Sequence, residues 1–137
     1  MELQVGVKAL LKNKEGKYLL VRRSLKKYPE APGAVWDIVG GRIEAGTPLL
    51  ENLKREIREE TSLEVRGEVK LIGAQDILRV PGRHVVRLTY LGEIDGEPKI
   101  NEENTEWKWF TIEEMKKMKP DELDQYFKEL LDKGLFG

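Results

Sequence analysis

Three carboxylates, Glu56, Glu59 and Glu60, stand close together in the sequence behind the glycine pair Gly40-Gly41. On a helix, which turns about 100° per residue, they fall on one side. Leu50, Leu53 and Ile57 form the adjacent apolar stripe. Like charges three and four residues apart repel by about 0.2–0.5 kcal/mol on an exposed helix, and by more where water is excluded. A bound divalent ion would offset that repulsion. Hard cations take oxygen ligands from carboxylates, carbonyls and water, and the carbonyls of Gly40 or Gly41 can approach closely because neither residue carries a Cβ. Lys54, Arg55 and Arg58 are interleaved with the acids, so a solvated ion-pair face is the competing reading. Spacing alone does not separate the two.

The order of residues adds a constraint. Gly41, the run Arg55-Glu56-Ile57-Arg58-Glu59-Glu60 and then Leu63 resemble the Nudix box of the Nudix hydrolase family, which here spans residues 41–63. Two positions depart from the pattern: Thr47 stands where the box has a glutamate and Ser62 where it has a glycine. Thr47-Pro48 reads as a helix N-cap followed by a first-turn proline. Ser62 must adopt a left-handed helix exit at some cost, or end the helix another way.

The resemblance implies an α/β fold, a Nudix-like α/β/α sandwich with a mixed central β-sheet. It also implies a metal-dependent hydrolase that cleaves the pyrophosphate linkage of a nucleoside diphosphate joined to another moiety and releases a nucleoside monophosphate. Mg²⁺ is the implied cofactor, with Mn²⁺ as a substitute. By motif position, Glu56 is the general base or metal-bridging carboxylate, and Glu59 and Glu60 are direct metal ligands. Arg55 orients one of these acids through a bidentate contact, and a carbonyl of Gly40 or Gly41 completes the ligand set. Relatives add a further acid from a late loop. Glu103 is the choice here, with Glu102 and Glu106 beside it and a solvated acidic loop as the alternative.

Substrate contacts are sought outside the box. Trp36, just before the glycines, is either a base-stacking residue or a core or lid residue. Arg22 and Arg23 end one predicted strand, and Arg87 lies with Arg79 and Arg83 around the Pro81-Gly82 turn; either group could meet phosphates, with a solvated strand end as the default reading for both. His84 is a surface or structural histidine rather than the base. Nucleoside triphosphates, ADP-ribose, dinucleoside polyphosphates and nucleotide sugars all remain open as substrates. A catalytically silent nucleotide-binding regulator is the alternative class. A Nudix-fold isoprenoid isomerase is disfavoured because it usually needs a reactive cysteine and the chain has none.

Composition bounds the rest. The 137 residues suit a single domain over 1–137, and a formal net charge of −1 provides no global field toward nucleic acid or a membrane. Without cysteine and with one histidine, disulfides, thiolate catalysis and His-rich metal sites are excluded. There is no apolar run of transmembrane length and no leader-like start, so the chain is expected to be soluble, unprocessed and cytoplasmic. The expected partner is a small-molecule nucleotide, with a homodimer left open.

Certain elements must position these residues. Segments 4–11 and 17–22 are apolar and partly β-branched, and are joined by Asn13-Lys14-Glu15-Gly16 as a hairpin. Residues 24–34, with Pro29, Pro32 and Gly33, read as a loop, and 36–39 as a short strand leading to the glycines. The box helix is predicted over about 48–61. One or two strands are expected within 65–80, another at 84–91, and an edge or closing strand at 106–110. Thr111 to Glu114 has the form of a capping box, and a last helix is expected over 121–132, ending at Gly134. Strands around a central helix, closed by C-terminal helices, imply a mixed sheet covered on both faces.

Overall fold

The computed structural model describes residues 1–25 and 35–134. Most of the loop expected at 24–34 lies outside the described residues. The hairpin forms as expected: β1 (Glu2–Lys12) and β2 (Tyr18–Arg23) run antiparallel, and the Asn13 side chain accepts from the backbone N–H groups of Glu15 and Lys17 to tighten the joint. The strand expected at 36–39 is two strands. β3 (Trp36–Asp37) pairs with β2, whereas β4 (Val39–Arg42) pairs with β1, so the chain steps across the sheet at Ile38.

One long strand, β5 (Arg66–Ile77), occupies the stretch where one or two were expected, with register shifts near each end of Lys70–Leu71. The Pro81-Gly82 turn delivers β6 (Arg83–Glu93), and β7 (Asn104–Phe110) lies against β2. β1 and β6 are parallel and the other pairings antiparallel, giving a mixed, curled sheet in the order β3-β2-β1-β6-β5 with β4 on β1 and β7 on β2.

Strand alternation divides the apolar residues between the two faces. Val7, Ala9 and Leu11 of β1, with Leu19 and Val21 of β2, pack under α1 (Leu49–Thr61) against Leu53 and Ile57. The intervening Leu10, Tyr18 and Leu20 point the other way, toward Met115 of α2 (Ile112–Lys116) and Phe127, Leu130 and Leu131 of α3 (Gln125–Asp132). The sheet is thus covered on both sides. α3 sits so close to β5 that a Cβ on Gly73 would lie 2.7 Å from a Leu130 methyl.

The helix ends correct some expectations. Thr47 does not cap α1: the N-cap position is Pro48, which has no side-chain bond to offer. Asn52 takes over instead. Its amide donates to the carbonyls of Thr47 and Pro48, and its oxygen accepts from the Glu44 N–H, so one buried side chain ties down the whole turn before the helix. Ser62 does take the left-handed exit, with φ 63°, and its N–H closes on the Arg58 carbonyl. The Thr111–Glu114 capping box is complete. The last helix begins at Gln125, later than expected, because Leu123 forms a parallel bridge with Trp36 and Asp124 serves as the N-cap. Leu50, placed in the apolar stripe by periodicity, is 46% exposed, and the inner face of α1 is built from Asn52, Leu53, Glu56, Ile57, Glu60 and Thr61.

Candidate active site

Burial of carboxylates is costly unless hydrogen bonds or cations meet them. Glu60, only 3% exposed, is met on both oxygens: the Gly40 N–H donates to Oε2 at 2.7 Å and the Asn104 amide to Oε1 at 3.2 Å. Burial still dominates and pushes its pKa up to about 7, against the opposing pull of Lys8, the Gly40 N–H and Asn104. Glu56, 9% exposed, is also raised, first by burial and then by the charges of Glu59 and Glu103, with Arg55 opposing.

The glycine pair makes room for these acids. Gly40 has φ 141°, and a Cβ there would lie 2.1 Å from the Val7 carbonyl oxygen. At Gly41 the backbone is ordinary, but a Cβ would meet both Glu56 carboxylate oxygens at 2.9 Å. Gly40 therefore requires glycine for both conformation and space, whereas a side chain at Gly41 would displace the Glu56 carboxylate.

Arg55 lies against one of these acids, through a single contact to Glu56 rather than the expected bidentate pair, and reaches further groups as well. Its guanidinium donates to Glu56 Oε1 at 3.2 Å and to Asn52 Oδ1 at 2.9 Å, lies 3.4 Å from Glu44 Oε1 and 3.7 Å from Glu59 Oε1, and reaches the Arg42 carbonyl. One cation thus holds the helix acids to the preceding turn. Glu59 projects outward with its side chain more than half exposed. Among the described residues, no group of three or more His, Cys, Asp or Glu closes into a ready-made metal nest. Two of the expected trio, Glu56 and Glu60, are gathered at the glycine pair of β4, and the third is exposed.

The late acidic loop comes to the same place. The Glu103 carbonyl accepts from the Ser24 N–H, its own N–H is held by the Asn101 side chain, and its charge is felt at Glu56. Glu102 is exposed, and Glu106 pairs with Arg22 at 3.6 Å.

The residues expected at the substrate are placed differently. Trp36 is a core residue, edge-on to Phe110 with ring centroids 5.1 Å apart, and the Arg22 guanidinium covers its ring at 4.5 Å. Arg23 is exposed at the strand end. Arg87 is buried in an ion-pair network on the sheet face opposite α1, bonded to Asp37 Oδ1 and lying against Asp124 Oδ2, each at 3.1 Å. Lys8 reaches Asp37 from the other side at 3.3 Å. Although burial pushes the other way, Lys8 and Arg87 hold the Asp37 carboxyl below its ordinary range. His84 pairs with Asp76 at 2.7 Å, away from the box acids.

Sequence reading missed Lys8, Asp37, Asn52, Asn104 and Asp124. Two had a usable signal: Lys8 is a lone charge within the apolar run of β1, and Asn52 sits among inward-facing helix positions.

The donor set fits a hard divalent cation. It consists of carboxylate and carbonyl oxygens, two of the carboxylates buried with raised pKa and close to a strand segment, Gly40-Gly41, without side chains. A family model described as the NUDIX domain matches residues 2–131. The chain belongs to the Nudix family. The Nudix MutT protein of Methanosarcina mazei Go1 is 25% identical and superposes with a TM-score of 0.84, covering 96% of this chain and 91% of its own. A MutT Nudix hydrolase of Burkholderia pseudomallei is 26% identical with a TM-score of 0.78, covering 96% and 98%. No curated protein matches the chain by sequence. The sandwich and mixed sheet implied by the box are therefore those of Nudix hydrolases. Nudix hydrolases generally use divalent metal ions and act on small nucleotide substrates, and no described helix is long and apolar enough to cross a membrane.

Proposed function

We propose that this chain is a metal-dependent pyrophosphohydrolase acting on a nucleoside diphosphate joined to another moiety, with Mg²⁺ as the cofactor and Mn²⁺ as a substitute, and releasing a nucleoside monophosphate. The observation that carries the reading is the pair of buried acids, Glu56 and Glu60, set against the Gly40-Gly41 pair of β4. Acids kept there at raised pKa cost stability in the absence of a cation, and they are assembled by the residues of the box.

Glu60, Glu59, Glu103 and a carbonyl of Gly40 or Gly41 would hold the cation, with Glu56 bridging or taking a proton. When bound, the metal neutralises phosphate charge and lowers the pKa of attacking water. Glu56 is suited to receive a proton because burial and the neighbouring charges of Glu59 and Glu103 raise its basicity. Arg55 keeps that carboxylate aimed through its bond to Oε1 and leaves the second oxygen for the reaction. Lys8 and Arg87 are buried and paired with Asp37 and Asp124, which leaves Arg87 without access to a phosphate.

The test is a panel of nucleoside triphosphates, ADP-ribose, dinucleoside polyphosphates and nucleotide sugars, incubated with Mg²⁺, Mn²⁺ or a chelator and resolved by product identification. Metal-dependent release of a nucleoside monophosphate, abolished in folded Glu60→Gln, is the expected result. Calorimetric nucleotide binding without product across the panel would replace hydrolysis with a regulatory role.

A further inference from the structure

We infer that Asn104 is a positioning residue for the metal site, acting through Glu60. The inference rests on the proposed hydrolase reading and adds to it a residue outside the box.

Asn104 opens β7 and is 8% exposed. Farther along that strand, Trp107 and Trp109 pack on the α1 side of the sheet. Plain alternation would put Thr105 on the same face and turn residue 104 away. A register shift against β2 prevents this: Arg22 is matched to Glu106 and Arg23 to Asn104, so Thr105 is the extra residue and is exposed. A bulge re-aims the side chains beyond it, and here it turns Asn104 toward α1, within 3.2 Å of Glu60 Oε1.

Two consequences follow from the chemistry of that bond. An ionised carboxylate has about four lone-pair positions. With Asn104 on one oxygen and the Gly40 N–H on the other, the plane of the Glu60 carboxylate is fixed from two elements while lone pairs remain for a cation. Because Asn104 directly follows Glu103, whose carbonyl is anchored by the Ser24 N–H, the same bond also ties the late acidic loop to the box helix. The structural alternative is that Asn104 only satisfies a buried acid and supports the fold.

The experiment titrates Mn²⁺ alone into the full chain, following free Mn²⁺ by electron spin resonance well below each variant's melting temperature. The set is the unmodified protein, Glu60→Gln, Asn104→Leu, which keeps the branched outline but has no donor, and Asn104→Gln, which restores one. Partners of metal ligands typically change affinity about 10–100-fold when removed. The expected result is a loss of that size in Asn104→Leu, with at least partial recovery in Asn104→Gln. If Asn104→Leu fails to fold, Asn104→Ser, whose side chain is too short to span the gap, takes its place with the same expected loss.

Unchanged affinity in the donor-free variant, while Glu60→Gln loses binding, would overturn the role of Asn104 and leave the hydrolase reading intact. A loss in Asn104→Leu with no recovery in Asn104→Gln would overturn it in favour of a packing role. Absence of Mn²⁺ binding in the unmodified protein, or full affinity in Glu60→Gln, would remove the metal assignment and this inference with it.

Discussion

The sharpest consequence of the site is the component of pH-dependent stability that Glu60 carries. Glu60 has a pKa of about 7 in the folded protein against an ordinary value of 4.5. The native state therefore holds the proton over a range in which the unfolded chain has released it. A raised carboxylate gives stability that is fully present below pH 4.5, declines as pH rises toward 7 and is gone above it. At about 1.36 kcal/mol per pH unit, the interval corresponds to an upper figure of about 3 kcal/mol. In metal-free buffer with a chelator, urea unfolding between pH 5 and pH 8 should show that decline in the unmodified protein. With a slope near 2 kcal/mol per molar urea, the midpoint moves down by about 1.5 M.

Glu60→Gln should lack this component. Its amide oxygen can accept from the Gly40 N–H and its nitrogen can donate to the Asn104 oxygen once that amide turns over. Adding Mg²⁺ at about 100 times its dissociation constant should return about 2.7 kcal/mol to the unmodified protein at pH 8 and nothing comparable to the variant. Parallel pH profiles for the two proteins without metal would refute the argument, because the difference between them isolates the buried acid.

Other changes test the surrounding parts. Gly41→Ala places a Cβ against both Glu56 oxygens; it should cost about 1–3 kcal/mol by thermal melting and reduce kcat by about 100-fold in the product assay through displaced geometry. Gly6→Ala, where the nearest atoms would be 3.6 Å away, should leave the melting temperature nearly unchanged. Arg87→Met leaves Asp124 without its cation and Asp37 with Lys8 alone, and should destabilise by about 3–5 kcal/mol in urea. Ser62→Gly relieves a left-handed serine and should stabilise by about 0.5–1 kcal/mol, less whatever its 3.3 Å bond to the Lys99 carbonyl contributes.

Elements whose cause is local were legible. The β1–β2 hairpin, the Thr111–Glu114 box and the span of α1 each follow from residues within a turn or two of one another. The contact of Arg55 with one of the box acids came from the motif and not from helix geometry, since adjacent helix positions do not face each other. What escaped depended on pairing across the chain. The split at Ile38 exists because Trp36–Asp37 and Val39–Arg42 find different partner strands, and a tetrapeptide cannot declare that. Leu50 was assigned inward by period, but the helix is rotated so that Asn52, which secures the preceding turn, takes an inner position instead. Arg87 was grouped with Arg79 and Arg83 as a candidate phosphate contact because nothing near it in sequence signals the two aspartates that the fold brings to it from β3 and the start of α3.

The step at Ile38 explains why the two buried polar systems lie so close without merging. Before it, Asp37 faces the α3 side and is paired by Lys8 and Arg87. After it, the Gly40 N–H faces α1 and bonds Glu60. Lys8 is matched in register with Gly40, and its charge acts on both Asp37 and Glu60. Its bond goes to Asp37, so the cation is committed to the network and lowers the cost of Glu60 only at a distance. A lysine directly paired with Glu60 would compete with a divalent ion for the same oxygens. Neutral donors, the Gly40 N–H and the Asn104 amide, fix that carboxylate while leaving its charge for the metal.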